Sequence, residues 1–583
     1  MQSSGVAILG VDVGGTFTDA VLLDGDVVRT AKVPTAVRQE ESVLAAARAV
    51  GAAGVTRFAH GTTVATNALL ERRGARTAFV GNLGFEHLLH TRRQTRAHLY
   101  RLCAPHPEPL VPLDRCLGVG GRIGPDGELE PLGEVPALPA DVEAVAICLL
   151  FAFRDASHER EVARLLRERH PDVHVVASHE VAPEFREYER ASTTTADAYL
   201  APVASRYLRA LAAGAREAGL PEPLVMLSSG GVGTVDEAAA HPATILVSGP
   251  AGGVVGAGLL ARRAGFADAI AFDMGGTSTD VCLLPDGRAA RVAQREVGGF
   301  PIRLPTVDLH TVGAGGGSLV RRDAGGAIRV GPESAGAQPG PACYGRGGGA
   351  TVTDANLLLG RLPAELPGGL VLDRDAAAQA FAGIDPAAAI EVVNAEMLRA
   401  LRVVSVERGH DPRDFALVAF GGAGPLHACA LAEELGIGAV LVPAAAGVLS
   451  ALGLVASEER RDSVVSYIRP LPEVRDDLPH AGDADLRYRG QSFELTVPLG
   501  GDAAEAFHRA HEERYGYADR GREVELVAVR TADAVPGPDV SFLATDRHTV
   551  SGPELVELDG ATCWVPAGWH GETNDDGTLV LTR

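Results

Sequence analysis

The chain has 583 residues, is 46% hydrophobic and 22% charged, and carries a formal net charge of −22. This length exceeds what one core usually holds and the composition is that of a globular protein, so disorder is excluded and two or three domains are expected. The acidic balance argues against a general nucleic-acid or anionic-membrane surface, because it repels both.

The N-terminal Met1-Gln-Ser-Ser-Gly5 runs into the first apolar segment without a basic region or a long apolar core, and no stretch reaches the roughly eighteen apolar residues of a span. A cytoplasmic protein with no signal peptide is therefore expected. The apolar run to Val11 ends at Asp12-Val13-Gly14-Gly15-Thr16-Phe17-Thr18-Asp19, and Ala20–Leu23 follows it. This reads as strand, tight glycine turn, strand. A third strand at Val27–Val33 makes an antiparallel meander, and a helix from Gln39 to Val50 presents Val43, Ala46 and Ala47 on one face.

Next come a short strand, Arg57–His60, and a helix, Thr63–Arg73, joined through His60-Gly61-Thr62-Thr63. Thr62 or Thr63 can cap the helix, or the turn can contact substrate or phosphate; His60 is a candidate acid or base. The segment Gly84–Arg101 is basic and aromatic (His87, His90, Arg92, Arg93, Arg96, His98, Tyr100, Arg101) and reads as a solvated, partly helical loop that contacts another subunit, with a substrate site as the alternative. A small β excursion lies at Leu113–Gly127. Strands Ala144–Leu150 and Val173–Ala177 then flank a helix, Ser157–His170. The long helical pattern Tyr188–Gly219 is expected to cross between lobes as a hinge.

A second lobe is expected to open at Leu224–Leu227, followed by the small-residue helix entered at Gly249-Pro250-Ala251-Gly252-Gly253. After Ala269–Phe272 the first motif returns as Asp273-Met274-Gly275-Gly276-Thr277-Ser278-Thr279-Asp280, identical at six of eight positions. In Asp308-Leu309-His310 through Gly315-Gly316-Gly317-Ser318, the glycine run implies a neighbour that needs bare backbone, while Asp308 and His310 could share a strand face and hold a second metal. Gly421, Gly422 and Gly424 lie between strand Ala416–Phe420 and helix Leu426–Leu435, and a helix over Ala445–Val455 closes the lobe. Beyond Asp462, short strands around a helix, Ala503–Tyr515, read as an appendage. Seven scattered cysteines with no C-x-x-C read as reduced thiols.

The doubled hairpin carries the chemistry. Adjacent glycines let successive N–H groups face an anion, a Thr hydroxyl adds a donor, and a carboxylate at a strand end can hold the Mg²⁺ that a polyphosphate brings. Neither G-x-x-x-x-G-K-[ST] nor G-x-G-x-x-G is present at either place. Asp12 and Asp273 are thus the candidate catalytic and metal-holding carboxylates. Gly14, Gly15, Thr16 and Thr18, with Gly275, Gly276 and Thr277, are the candidate phosphate cradle.

These paired hairpins resemble the two phosphate loops of the superfamily that includes actin and hexokinase. With His60-Gly-Thr-Thr-Val-Ala-Thr-Asn-Ala-Leu-Leu70, Ser248-Gly-Pro-Ala-Gly-Gly-Val-Val-Gly256, Thr311-Val-Gly-Ala-Gly-Gly-Gly-Ser318 and Gly340-Pro-Ala-Cys-Tyr-Gly345, the chain resembles the hydantoinase A / oxoprolinase family over nearly its whole length. The resemblance implies an α/β fold of two actin-like (ribonuclease H-like) lobes around a central ATP cleft, with a small C-terminal α+β domain, divided near 1–190, 191–460 and 461–583. It implies ATP and Mg²⁺ as cofactors, with Gly421, Gly422 and Gly424 seating adenosine. The implied activity is ATP-dependent phosphorylation of a cyclic amide (hydantoin, 5-oxoproline or another lactam) for ring opening, in a hetero-oligomer with a B-type subunit. An ATP-dependent ketone carboxylase subunit, a small-molecule kinase and a non-catalytic ATP switch are the alternatives.

Overall fold

The structure is a computed structural model that describes residues 7–25, 27–101, 103–366, 370–474, 478–540, 547–558 and 560–583. Met1–Gly5 lie outside them. The first apolar run forms the strand Ala7–Val13, buried along both faces. A continuous apolar run is what a strand covered on both sides requires.

Three sheets organise the described residues. One has ten strands, in the order Leu495–Pro498, Asp483–Tyr488, Val524–Val535, Glu459–Pro470, Val232–Thr234, Leu224–Met226, Arg57–Gly61, Ala7–Val13, Phe17–Asp24, Val27–Pro34. The second has eight: Leu309–Val312, Thr279–Leu284, Ala269–Met274, Ala416–Phe420, Ala439–Val442, Leu579–Thr582, His570–Thr573, Thr549–Ser551. A third, parallel sheet of four strands (His174–Ala177, Ala144–Ile147, Thr77–Asn82, Cys116–Val119) lies within the N-terminal part. The fold is thus a mixed-sheet α/β fold.

The two large sheets repeat one pattern. In each, a first strand pairs antiparallel with the next and parallel with a later one (Ala7–Val13 with Arg57–Gly61; Ala269–Met274 with Ala416–Phe420), and a further parallel strand follows. Leu224–Met226, expected to open the second lobe, therefore runs beside Arg57–Gly61 in the sheet of the first hairpin. The stretch 461–583, expected as a separate appendage, contributes strands to both large sheets: Glu459–Pro470 pairs with Val524–Val535, and Leu579–Thr582 pairs with Ala439–Val442. Open sheet edges take up these strands because their backbone N–H and C=O groups need partners.

The long helix Glu187–Glu217 does not cross between the two large sheets. It packs against the helices Gln39–Ala49, Val64–Leu70 and Val235–Ala240, against the strands Ala144–Ile147 and His174–Ala177, and against the small strand Phe300–Ile302, none of which belongs to the eight-stranded sheet. The elements between the large sheets are Ser248–Arg263 and Leu449–Ala456, which pack on each other. Their small residues explain how closely they cross, since a Cβ on Gly453 would stand 1.8 Å from the Gly252 carbonyl oxygen and one on Gly10 2.2 Å from that of Ala451. Phe420 faces this layer, where a Cβ on Gly253 would stand 2.7 Å from its ring, and Phe272, in register with Ala419, packs on the opposite face of the sheet beside Gly424; both are fully buried, and each contributes roughly 2–3 kcal/mol by leaving water.

Candidate active site

Both hairpins close in the same way. Asp12 faces Asp19 and Val13 faces Thr18 in the first; Asp273 faces Asp280 and Met274 faces Thr279 in the second. The Gly14 N–H donates to the Phe17 carbonyl at 2.9 Å, and the Gly275 N–H to that of Ser278 at 3.1 Å. These two amides are therefore spent on the turn. The next two in each tip, Gly15 and Thr16, and Gly276 and Thr277, have no backbone acceptor and stand at exposed positions with open space above the glycines. Two successive free amides make an anion-binding concavity.

Each first carboxylate fits into a notch left by a glycine. Asp12 lies beside Gly61 on the parallel strand, where a Cβ would stand 2.3 Å from the Asp12 Oδ1. Asp273 lies beside Gly421, where a Cβ would stand 2.3 Å from its Oδ1 and 2.5 Å from the Met274 carbonyl oxygen. Gly421 also has φ +78°, so it serves the carboxylate as well as the open turn that continues to the exposed Gly422. Gly424 is buried and opens the helix Gly424–Leu435, with Pro425 in its first turn.

The supports differ. Thr18 is buried, and its hydroxyl lies 3.0 Å from that of Thr35, which donates to the Gly14 carbonyl at 3.0 Å; Thr18 thus braces the turn from beneath and does not face the open side as a cradle residue. In the second hairpin the Thr279 hydroxyl donates to the Ala314 carbonyl at 2.6 Å. Gly316 and Gly317 donate to the Gly275 and Gly276 carbonyls at 2.9 and 2.7 Å, and a Cβ on Gly315 would meet Gly276 at 2.7 Å. The neighbour that requires bare backbone at Gly315–Gly317 is the second hairpin itself.

Negative charge is concentrated here, with Lys32 paired to Asp19. Burial, with repulsion from Asp19, pushes the Asp12 carboxyl up to about 7, although Lys32 opposes the shift. Burial, then Asp280, Asp12 and Asp19, push Asp273 up to about 8. The carboxylates of the first hairpin thus act on that of the second across the space between them. The Asp12 Oδ1 is enclosed and lacks a hydrogen-bond partner. Among the described residues, no group of three or more His, Cys, Asp or Glu side chains stands close enough to hold a metal ion alone.

Two candidates take other roles. His60 is fully buried, with Nδ1 3.1 Å from the Val11 carbonyl and Nε2 2.8 Å from the Tyr207 hydroxyl, and burial holds it down at about 4. Nδ1–H donates to Val11 and Nε2 accepts from Tyr207, so a neutral ring ties the long helix to the first sheet and has no nitrogen left for proton transfer. Asp308 is gripped by both terminal nitrogens of Arg408, and burial followed by the charges of Arg408 and Arg295 lowers His310. A carboxylate engaged by a guanidinium is not poised for a second metal. A cavity of about 350 Å³ lined by His174, Arg209 and His241 lies elsewhere and includes none of the candidate residues.

The sequence reading also missed three supports: Gly61, placed in the helix junction; Thr353, whose hydroxyl donates to the Gly316 carbonyl at 2.9 Å; and Lys32, which lies on the third strand beside Asp19. Of these, only Lys32 left a mark readable in the sequence, as its one lysine.

These features define a mixed-sheet α/β protein with the same carboxylate-bearing hairpin built into each large sheet. The chain belongs to the hydantoinase/oxoprolinase family: the profile of that family matches residues 190–463 and that of its N-terminal region residues 8–170. Caprolactamase subunit alpha of Pseudomonas jessenii is 35% identical, with 96% of this chain and 90% of that protein covered. The crystal structure of ATP-dependent caprolactamase from the same organism superposes with a TM-score of 0.83 at 32% identity, over 99% of each chain. The 5-oxoprolinase 1 of Arabidopsis thaliana is 33% identical over 88% of this chain and 47% of its own length, so the chain spans about half of that protein. The acetophenone carboxylase gamma subunit of Aromatoleum aromaticum is 32% identical over 75% of this chain and 66% of its own. No described helix is long and apolar enough to cross a membrane.

Proposed function

We propose that the two large sheets are the cores of two actin-like lobes whose hairpins close on the polyphosphate of ATP, and that the chain phosphorylates the carbonyl oxygen of a cyclic amide. The observation that carries this reading is the pair of hairpins in identical register, each with an isolated carboxylate beside two free tip amides. The residues also fit a divalent cation. An enclosed, unpartnered Asp12 oxygen and two carboxyls raised by burial and by their acidic neighbours are what a cation between them would relieve.

Asp12 and Asp273 would hold Mg²⁺, which when bound supplies charge to offset the carboxylates and phosphoryl oxygens. The amides of Gly15, Thr16, Gly276 and Thr277, with the two Thr hydroxyls, receive phosphoryl oxygens. Gly421, Gly422 and the N-terminus of Gly424–Leu435 seat the adenosine. An amide carbonyl is a poor electrophile. Transfer of the γ-phosphoryl group to its oxygen releases ADP and activates the carbon, so that one water can add there, the ring C–N bond can open with the nitrogen leaving as a protonated amine, and a second water can hydrolyse the resulting acyl phosphate to the acid and phosphate.

We assign that second half to a B-type subunit in a cytoplasmic hetero-oligomer; relatives of this chain are named as subunits. The segment 92–101 is offered as contact surface. Arg93 is held by Glu187 and Glu189 of this chain, whereas Arg96, Leu99, Tyr100 and Arg101 are exposed. The likeness to a ketone carboxylase subunit supports a second reading, in which a ketone oxygen takes the phosphoryl group.

ADP release measured over lactams, hydantoins and ketones, with and without the B-type subunit, separates these. Lactam-stimulated ADP release with ring opening only in the complex supports the first reading; stimulation by ketones with bicarbonate supports the second. No stimulation by any carbonyl compound overturns both.

A further inference from the structure

Lysine and arginine together number 53 in this chain, and Lys32 is the one lysine among them. A compact ammonium therefore stands at a single position, on the third strand of the first hairpin sheet, in register with Asp19. At the matching position of the second sheet, in register with Asp280, stands Thr311, whose neutral hydroxyl donates to Asp280 at 2.5 Å. That hydroxyl accepts in turn from Arg295 at 3.3 Å, so the cation of the second side reaches its aspartate through a hydroxyl, whereas Lys32 meets Asp19 directly.

Two of the three Lys32 N–H directions are engaged. Nζ lies 2.5 Å from the Asp19 Oδ1 and 3.3 Å from the Gly447 carbonyl oxygen, and 5.5 Å from the centre of the Phe17 ring. Phe17 is at the exposed tip of the hairpin, and the Lys32 side chain is itself 35% exposed. The third direction has no acceptor among the described residues. Gly447 belongs to the turn Ala446–Val448, and the Ala446 carbonyl accepts the N–H of Gly421 at 3.0 Å, the glycine that makes room for Asp273. Lys32 therefore ties the tip of one hairpin to the turn behind the carboxylate of the other. A planar guanidinium is wider and presents its donors as a fork, so arginine does not reproduce three diverging bonds from one atom.

We propose that Lys32 is a phosphate-contacting residue of the nucleotide site, its third N–H donating to a phosphoryl oxygen while Asp19 and the Gly447 carbonyl hold the ammonium in place. The proposal rests on the reading of the hairpins as a polyphosphate clamp. It gives the first hairpin an ammonium in direct reach of the ligand's phosphates, whereas the Arg295 guanidinium of the second side donates to Thr311.

The single lysine makes the test specific. On the full chain, mild acetic anhydride acylates only Lys32 and the N-terminal amine among aliphatic amines, and mass spectrometry reads both rates in one sample. Saturating Mg-ATP is expected to slow acylation of Lys32 about tenfold or more and leave the N-terminus unchanged; adenosine is expected to leave both unchanged. In parallel, Lys32→Gln and Lys32→Arg are expected to weaken Mg-ATP binding by about 10- to 100-fold, the range for loss of a charged hydrogen bond, with adenosine affinity within twofold of the parent. The proposal requires both results. Protection without loss of affinity means closure alone and overturns it, as does loss of affinity without protection. An equal loss for ATP and adenosine means a folding effect and overturns it too. In each of these cases nucleotide-dependent stabilisation of the parent chain leaves the clamp standing; if Mg-ATP neither stabilises the parent nor protects Lys32, the clamp reading falls together with the contact.

Discussion

The two hairpins share a register and six of eight residues, yet they are held up by different means. The first leans on side chains: Thr35 braces Thr18 and the Gly14 carbonyl, and Lys32 pairs with Asp19. The second leans on bare backbone, with Gly315–Gly317 packed directly against Gly275 and Gly276. Side-chain support can adjust by rotation, whereas backbone packed on backbone cannot. The second hairpin is therefore the more rigid side of the site, and the first is the side able to respond to a ligand.

The largest expected effects treat the two sides as equal. Asp12→Ala and Asp273→Ala are each expected to lower ATP turnover by roughly 10³-fold or more while the protein stays folded, as for loss of a charge-stabilising group. ADP release in the presence of the partner subunit reads this; one variant at parental rate breaks the symmetry of function and confines the metal to the other side.

The glycine notches should separate the two sides. Gly421→Ala puts a Cβ against the Asp273 carboxylate and the Met274 backbone at a positive φ and is expected to cost roughly 3–4 kcal/mol, with only the smaller part recovered by removing Asp273 because the backbone clash and the positive φ remain. Gly61→Ala meets the Asp12 Oδ1 and is expected to cost about 1–2 kcal/mol, most of it recovered in the Asp12→Ala/Gly61→Ala double variant. Denaturant titration of both double-mutant cycles tests the contrast, and equal recovery on the two sides contradicts it.

The metal-free protein should also record the uncompensated carboxyls in its pH dependence. Both folded values lie above the ordinary 3.8, at about 7 for Asp12 and about 8 for Asp273. Their neutral forms therefore contribute stability that is fully present below about pH 4 and lost as pH rises through 7 and then 8. In chelator-treated protein, Asp12→Asn and Asp273→Asn are each expected to be more stable than the parent by roughly 1–3 kcal/mol at pH 8, with the gain vanishing near pH 4. Melting temperatures across pH decide this, and a pH-independent difference contradicts it.

The smallest effects probe the braces. Thr18→Val and Thr279→Val each remove one buried hydroxyl bond and are expected to cost about 1 kcal/mol. In line with the mobility contrast, Thr18→Val should also weaken Mg-ATP binding a few-fold, and Thr279→Val should leave it unchanged. Calorimetric titration distinguishes the two.

The sequence by itself determined both hairpins, their carboxylates and the family, because an apolar run ending in Asp-x-Gly-Gly-Thr specifies a local turn that needs no distant partner. The limits of one helix were legible for the same reason, Ala503–Tyr515 matching at both ends, whereas the expected Thr63–Arg73 and Ala445–Val455 are Val64–Leu70 and Leu449–Ala456 in the structure. Tertiary structure alone decided what lay beside those turns. His60 reads as a candidate base until Tyr207, 147 residues away, takes its second nitrogen. The glycines at 61, 315–317 and 421 are bare for neighbours on other strands, and nothing in their own segments names those neighbours. A short strand read beyond Asp462 lies inside the longer strand Glu459–Pro470, but alternation reports only that a strand has two faces. Which sheet edge it joins, here between Val232–Thr234 and Val524–Val535, depends on the unpaired backbone groups that the rest of the fold leaves open.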